Sequence, residues 1–252
     1  MREPFQSPIS PLLVGFVVFI IILTVVVWFW AVRRPVTSEV ANPGTVTVEP
    51  RPLVYAAIGA SDVVGVGATD PSAESWVNAL HSMMPEGTRF VRLGRGGITL
   101  REANIVEVPE AVAAQPDIVT LWNCVNDALR GVPLADYIKE LRTALDMLTK
   151  GTDATVFVLN VPDISSMMAG NLDSRQEALI KGGIQQWNKA IAETAAEYGG
   201  RVRVVDLFVV SDEIAEHPEY ISPDNFHPST TGYRRLAELV WQGIEREQLL
   251  ER

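Results

Sequence analysis

The chain has 252 residues, 47% of them hydrophobic, a formal charge of −10 and a single cysteine, Cys124. That length suits one large domain or two small ones, and the acidic balance argues against a nucleic-acid partner, since no Lys/Arg cluster offsets phosphate repulsion; a small neutral substrate is expected. One cysteine excludes an intramolecular disulfide framework and a cysteine-based metal cluster.

No residue from Phe5 to Val32 is charged, and from Pro11 to Val32 nearly all are apolar. The roughly 20 residues needed to cross a ~30 Å hydrocarbon core are present, whereas a cleavable signal has an apolar run of only about 7–15. Residues 1–34 therefore read as one N-terminal transmembrane helix, an uncleaved anchor in the lipid bilayer, with Trp28, Trp30, Arg33 and Arg34 at headgroup level. Residues 35–52, rich in Pro, Val and Thr and free of Lys, read as an extended stalk. The charge count around the anchor favours a cytoplasmic domain, while the stalk favours an extracytoplasmic one, which is the expectation adopted.

Residues 53–252 alternate short apolar runs with segments of helical period, a pattern that predicts an α/β domain: a three-layer α/β/α sandwich around a five-stranded parallel sheet. The strands are expected at Leu53–Ile58, Arg89–Leu93, Asp117–Trp122, Thr155–Asn160 and Arg203–Leu207, each apolar as a strand buried on both faces should be. Leu134, Ile138, Leu141, Leu145 and Leu148 mark one covering helix. The next starts with Ser174 and Glu177 at capping-box spacing, runs through Ile180, Ile184, Trp187, Ile191 and Tyr198, and stops at Gly199–Gly200. The last carries Tyr233, Leu236, Ala237, Val240, Trp241 and Ile244 on one stripe.

In such folds ligands bind beyond the carboxyl ends of the strands, which directs attention to Gly59-Ala60-Ser61-Asp62, Gly94-Arg95-Gly96-Gly97, Asn126-Asp127 and Asp224-Asn225-Phe226-His227. A serine at a strand end is by itself as suited to a turn or a helix cap as to chemistry. Asp224 and His227 are three apart, so one tight turn can offer a carboxylate to one imidazole nitrogen and leave the other free to take a hydroxyl proton; equally, Asp224 can simply cap that turn. Neither His81, in a helical segment, nor His217, before Pro218, has a partner at that spacing. Gly94–Gly97 lets backbone approach a ligand, and Asn126 offers a neutral side-chain N–H.

Together these four segments resemble the SGNH hydrolases, the GDSL-type lipase and esterase family, from residue 53 to about 245. The resemblance implies Ser61 as nucleophile, Gly97 and Asn126 as oxyanion donors, and Asp224 with His227 as the remaining triad. It also implies a flavodoxin-like sheet, no metal or cofactor, and hydrolysis of a small neutral ester or thioester, from acyl lipids to acetylated sugars. Three positions depart from the family pattern: Ala60 stands where Asp is usual, Cys124 where Gly is common and Arg92 where Asn is frequent, the last bearing on how the Gly97 turn is held. An inactive tethered binding domain and an acyltransferase remain alternatives on sequence alone. A nucleotide-binding domain is disfavoured, because G-x-G-x-x-G spacing is missing at Gly59. Met167 and Met168, in the loop Val161–Asp173, are candidates to line an acyl site.

Overall fold

The computed structural model describes residues 51–165 and 173–247. The expected anchor, most of the stalk, and Met167 and Met168 lie outside the described residues. Among the described residues, no helix is long and apolar enough to cross a membrane.

Five parallel strands form one sheet in the order β2-β1-β3-β4-β5. They are β1 (Val54–Gly59), β2 (Arg89–Gly94), β3 (Ile118–Trp122), β4 (Thr155–Leu159) and β5 (Val202–Val205). This is the doubly wound, flavodoxin-like order, with its reversal between β1 and β3. Eight α-helices are described: α1 (Ser61–Val64), α2 (Trp76–Met83), α3 (Leu100–Ala113), α4 (Cys124–Leu129), α5 (Leu134–Gly151), α6 (Ser174–Ala196), α7 (Asp212–Glu216) and α8 (Thr230–Arg246). On one face of the sheet α2 packs against α8; on the other α3 packs on α5 and α5 on α6. Right-handed crossovers place them so.

Complete burial holds for the three inner strands, β1, β3 and β4. The edge strands differ from expectation: β2 is partly exposed throughout and β5 in its middle, because each has a neighbour on one side only. Within the core Tyr55 shares a hydrogen bond with Thr120 at 2.9 Å, so its buried hydroxyl is satisfied. At the domain's start Arg51 grips Asp117 at 2.9 and 2.5 Å, and the same carboxylate accepts the Val54 N–H.

Helix α6 is capped one residue earlier than expected. Asp173, not Ser174, is the N-cap: its carboxylate accepts the Arg175 and Gln176 N–H groups, and Gln176 returns a bond to the Asp173 N–H. A carboxylate that reaches two amides outcompetes a hydroxyl for this place. The helix ends at Ala196, before Tyr198, and Gly199 opens a short 3-10 turn.

The strand ends that face the site are shaped by glycine. Gly59 and Gly94 are paired in register at the ends of β1 and β2, and a Cβ on either would lie 2.5 Å from a Val63 methyl. Val63, the buried residue of α1, wedges into that space. Burying a valine contributes about 1.5–3 kcal/mol, which exceeds the ~0.5–1 kcal/mol that glycine costs a strand. The arrangement sets the short helix that begins with Ser61 hard against the sheet.

Candidate active site

Ser61 follows β1 and Asn126 follows β3, so the two stand on either side of the point where strand order reverses. His227 arrives from a turn 166 residues away in sequence. Two contacts bring it there. The loop after α1 passes under it at Gly67, where φ is +98° and a Cβ would meet Pro228 O at 2.5 Å and His227 Cβ at 2.8 Å. Tyr233 on α8 donates its hydroxyl to Val66 O at 2.7 Å in the same loop.

The turn itself is built around Asp224. One carboxylate oxygen, Oδ1, accepts from Ser222 Oγ at 2.7 Å, Phe226 N at 2.8 Å and His227 N at 2.9 Å, while Asn225 takes the left-handed conformation with φ +59°. The other, Oδ2, is left for His227 Nδ1 at 2.7 Å. Partial desolvation acts to raise the Asp224 pKa, but the bonds from Ser222 and His227 and the turn amides outweigh it together and hold the carboxyl well below the usual range. An ionised carboxylate only accepts, so Nδ1 carries a proton, and in the tautomer with that proton alone Nε2 is an acceptor. His227 Nε2 lies 2.9 Å from Ser61 Oγ. In that tautomer the Ser61 hydroxyl donates to an imidazole whose other nitrogen donates to a carboxylate, an arrangement able to raise the nucleophilicity of a hydroxyl.

Asn126 lines the same cavity as Ser61. Its Nδ2 donates one hydrogen to Ile98 O at 3.0 Å, which leaves the second for another acceptor. Gly97 sits in the adjoining turn with φ +76°, and its carbonyl accepts from Arg130 at 2.6 Å. It is not among the residues that line the cavity, so its link to Ser61 runs through Ile98 and Asn126. The cavity encloses about 980 Å³, counting the part open to solvent, and its walls are mainly apolar.

A family model for the GDSL-like lipase/acylhydrolase family matches residues 57–235, more than two thirds of the chain. The chain belongs to that family. It is accordingly an ester hydrolase. It is 24% identical over 181 residues to an acetylxylan esterase of Geobacillus stearothermophilus, covering 70% of this chain and 81% of that one. A family 3 carbohydrate esterase of Clostridium thermocellum superposes with a TM-score of 0.62 at 19% identity, over 79% of this chain and 99% of its own. A lipolytic protein of the G-D-S-L family from Veillonella parvula does so at 0.59 and 19%, over 75% and 97%. These likenesses in structure speak for the fold.

The departures from the family pattern find places in this acylhydrolase. Arg92 does not hold the Gly97 turn; it reaches across to the other side. Its guanidinium donates to Val63 O at 2.8 Å and Val64 O at 2.5 Å, the last carbonyls of the helix begun by Ser61, and to Pro71 O and Ser72 O beyond. A fork of donors thus replaces a neutral amide. Cys124 is fully buried at the start of α4, and burial pushes its thiol well above the ordinary range, so it packs without titrating. His81 bonds Thr88 O and stacks on Phe90. His217 does have an acidic partner, contrary to expectation: Glu219 lies two residues on at 2.9 Å.

Under the Gly59–Ser61 turn lie acids to which the sequence motifs assign no role. Asp62 accepts from the Trp76 indole at 2.9 Å and from Ala60 N at 3.1 Å, yet desolvation outweighs these bonds and pushes its pKa up to about 6. Glu107 on α3 is 1% exposed, and neither carboxyl oxygen has a hydrogen bond of good geometry. Burial pushes it up to about 8, against the attraction of Arg95 and a weak pull from the Gly59 amide. Ser222 and Trp76 were also missed. The Ser222-x-Asp224 spacing, typical of local side-chain turns, was the available signal for the first; nothing local points to the second.

Proposed function

We propose that this acylhydrolase cleaves carboxylic esters through an acyl-enzyme on Ser61. The observation that carries the reading is the unbroken line from Ser61 Oγ to His227 Nε2 at 2.9 Å and from His227 Nδ1 to Asp224 at 2.7 Å. Ser61 Oγ attacks the ester carbonyl carbon as His227 Nε2 takes its proton; the carbonyl electrons move to oxygen and form a tetrahedral oxyanion. The free Asn126 N–H is the donor that the cavity offers it; the Gly97 N–H is the second donor that the family resemblance implies. Collapse expels the alcohol, which leaves with the proton from His227. Water then repeats the sequence on the acyl-enzyme and releases the acid. Asp224 keeps its charge throughout, holding the tautomer and stabilising the imidazolium.

The substrate class supported by the acidic charge and the apolar cavity is a small neutral ester. We also propose that residues 1–34 anchor the hydrolase in a bilayer, on the strength of the uncharged run from Phe5 to Val32, and that the domain faces outside the cytoplasm, on the strength of the Pro-, Val- and Thr-rich stretch 35–52.

An alkyl fluorophosphonate tests the mechanism. Wild-type protein should be labelled at Ser61 and inactivated in proportion, and Ser61→Ala should be neither labelled nor active, down by about 10⁶ in kcat. A label found on another serine, or turnover retained in Ser61→Ala, overturns it.

A further inference from the structure

The cavity beside Ser61 has a polar end and an apolar body. Ser61, Asn126 and His227 stand at the polar end. Asn123 is with them: it follows Trp122, the register partner of Gly59, it is 3% exposed, and neither its amide nitrogen nor its oxygen has a hydrogen-bond partner. An ester, with one carbonyl and one bridging oxygen, is the polar part of a substrate that fits this end.

The body runs along α8. Gly232, Arg235, Leu236 and Leu239 all line it, and Gly232 lies within a turn and a half of His227. From Gly232 to Leu239 is seven residues, ~10 Å of helix axis at 1.5 Å per residue. Carbon–carbon bonds of ~1.5 Å at tetrahedral angles advance ~1.25 Å per atom, so ~10 Å is about eight carbons. Aliphatic side chains from outside α8 line it too, among them Ile164, Leu207 and Ile214.

Tyr220 apart, the polar side chains of this body are already engaged, by an ion pair or by backbone. Arg235 is held by Glu213 at 2.7 and 2.8 Å. Ser211 donates to Leu207 O at 3.0 Å and accepts Asp163 N at 2.8 Å. A sugar would bring hydroxyls that find no open partners on these side chains, each losing its hydration for nothing. An alkyl chain loses nothing. At the mouth Phe226 lines the cavity while 36% exposed, and Val209, next to the lining residue Val210, is 68% exposed.

We infer that the acyl group removed by this hydrolase is an unbranched chain of about eight carbons laid along α8, and that acetyl esters such as those named for its relatives are poor substrates. The inference rests on Ser61 being the nucleophile of the proposed mechanism.

The test uses the full chain with p-nitrophenyl esters from acetate to palmitate, each rate divided by the phosphonate-titrated concentration of Ser61. kcat/KM should climb by up to about fourfold per added methylene as far as octanoate, then level or fall. Leu239→Trp fills the far end and should lower the octanoate-to-butyrate ratio at least about tenfold, a ratio that is blind to any loss of folded protein. Titratable Ser61 with acetate as the best substrate, or with a flat series, overturns the acyl-chain assignment and leaves the serine mechanism standing. An unchanged ratio in Leu239→Trp overturns the placement along α8. Absence of both titration and turnover removes the mechanism itself, and the assignment with it.

Discussion

The Ser222–Pro228 turn and the floor beneath the Gly59–Ser61 turn each hold carboxylates, and their surroundings drive them in opposite directions. Asp224 is half-exposed and receives four hydrogen bonds, so it stays charged. Glu107 is buried with none of good geometry, so at neutral pH it is a neutral acid. Burial and donors decide charge together: Asp62 has donors but is buried and is pushed up, whereas Asp224 has donors and lies near water and is held down. The turn has been given donors because its charge holds an imidazole in place, whereas the floor carries its acids at a cost.

Between these two regions, the larger effect should come from removing charge where donors converge. Asp224→Asn keeps shape but permits the other histidine tautomer, and kcat should fall by about 10⁴ while circular dichroism and melting temperature stay near wild type. A loss of only a few-fold would mean that the carboxylate serves the turn and not the imidazole.

Asn126 sharpens the comparison from the floor side, because its amide both supports Ile98 O and faces the cavity. Asn126→Ala should lower kcat by about 10² to 10³ with KM within a few-fold, the pattern of a bond made only in the transition state. If the amide merely supports the Gly97 turn, the melting temperature drops instead, and kcat per phosphonate-titrated site does not move.

Glu107→Gln is the same acid-to-amide change as Asp224→Asn, and here it should help. With a folded pKa of about 8 against an ordinary 4.5, Glu107 contributes its stability fully below about 4.5. That stability is lost as pH rises towards 8, because the unfolded chain ionises first. Asp62, pushed up to about 6, acts in the same direction over a lower range. Glu107→Gln should therefore raise the melting temperature by a few degrees at pH 9, at about 2–4 °C per kcal/mol for a domain of this size, and not at all at pH 4. A gain that is equal at both pH values would assign the effect to packing and not to ionisation.

Legibility in the sequence followed the same division. The five strands and the helices α5, α6 and α8 announced themselves because their buried stripes are apolar: Tyr137, Leu141 and Leu145 in α5, and Tyr233, Leu236 and Val240 in α8. Helix α3 did not, since its buried stripe of Leu100, Ala103, Asn104, Glu107, Val108 and Ala111 carries two polar residues that blur the period. Asp224 and His227 were readable because three residues of chain bring them together. The Asp173 cap was misread by one place, as two neighbouring residues both have side chains that can accept.

From sequence alone came the alternation of elements, the parallel sheet and the four segments at its carboxyl end, all consequences of local periodicity, turn chemistry and the order of motifs. Only the tertiary structure decided that Ser61 meets His227 and that Arg92 serves the helix begun by Ser61 instead of the Gly97 turn. The lining of the cavity by one face of α8, and the burial of Glu107 without donors, were likewise settled there. Each of these depends on which surfaces lie against one another across many tens of residues, and hydrogen-bond reach and desolvation act through space rather than along the chain.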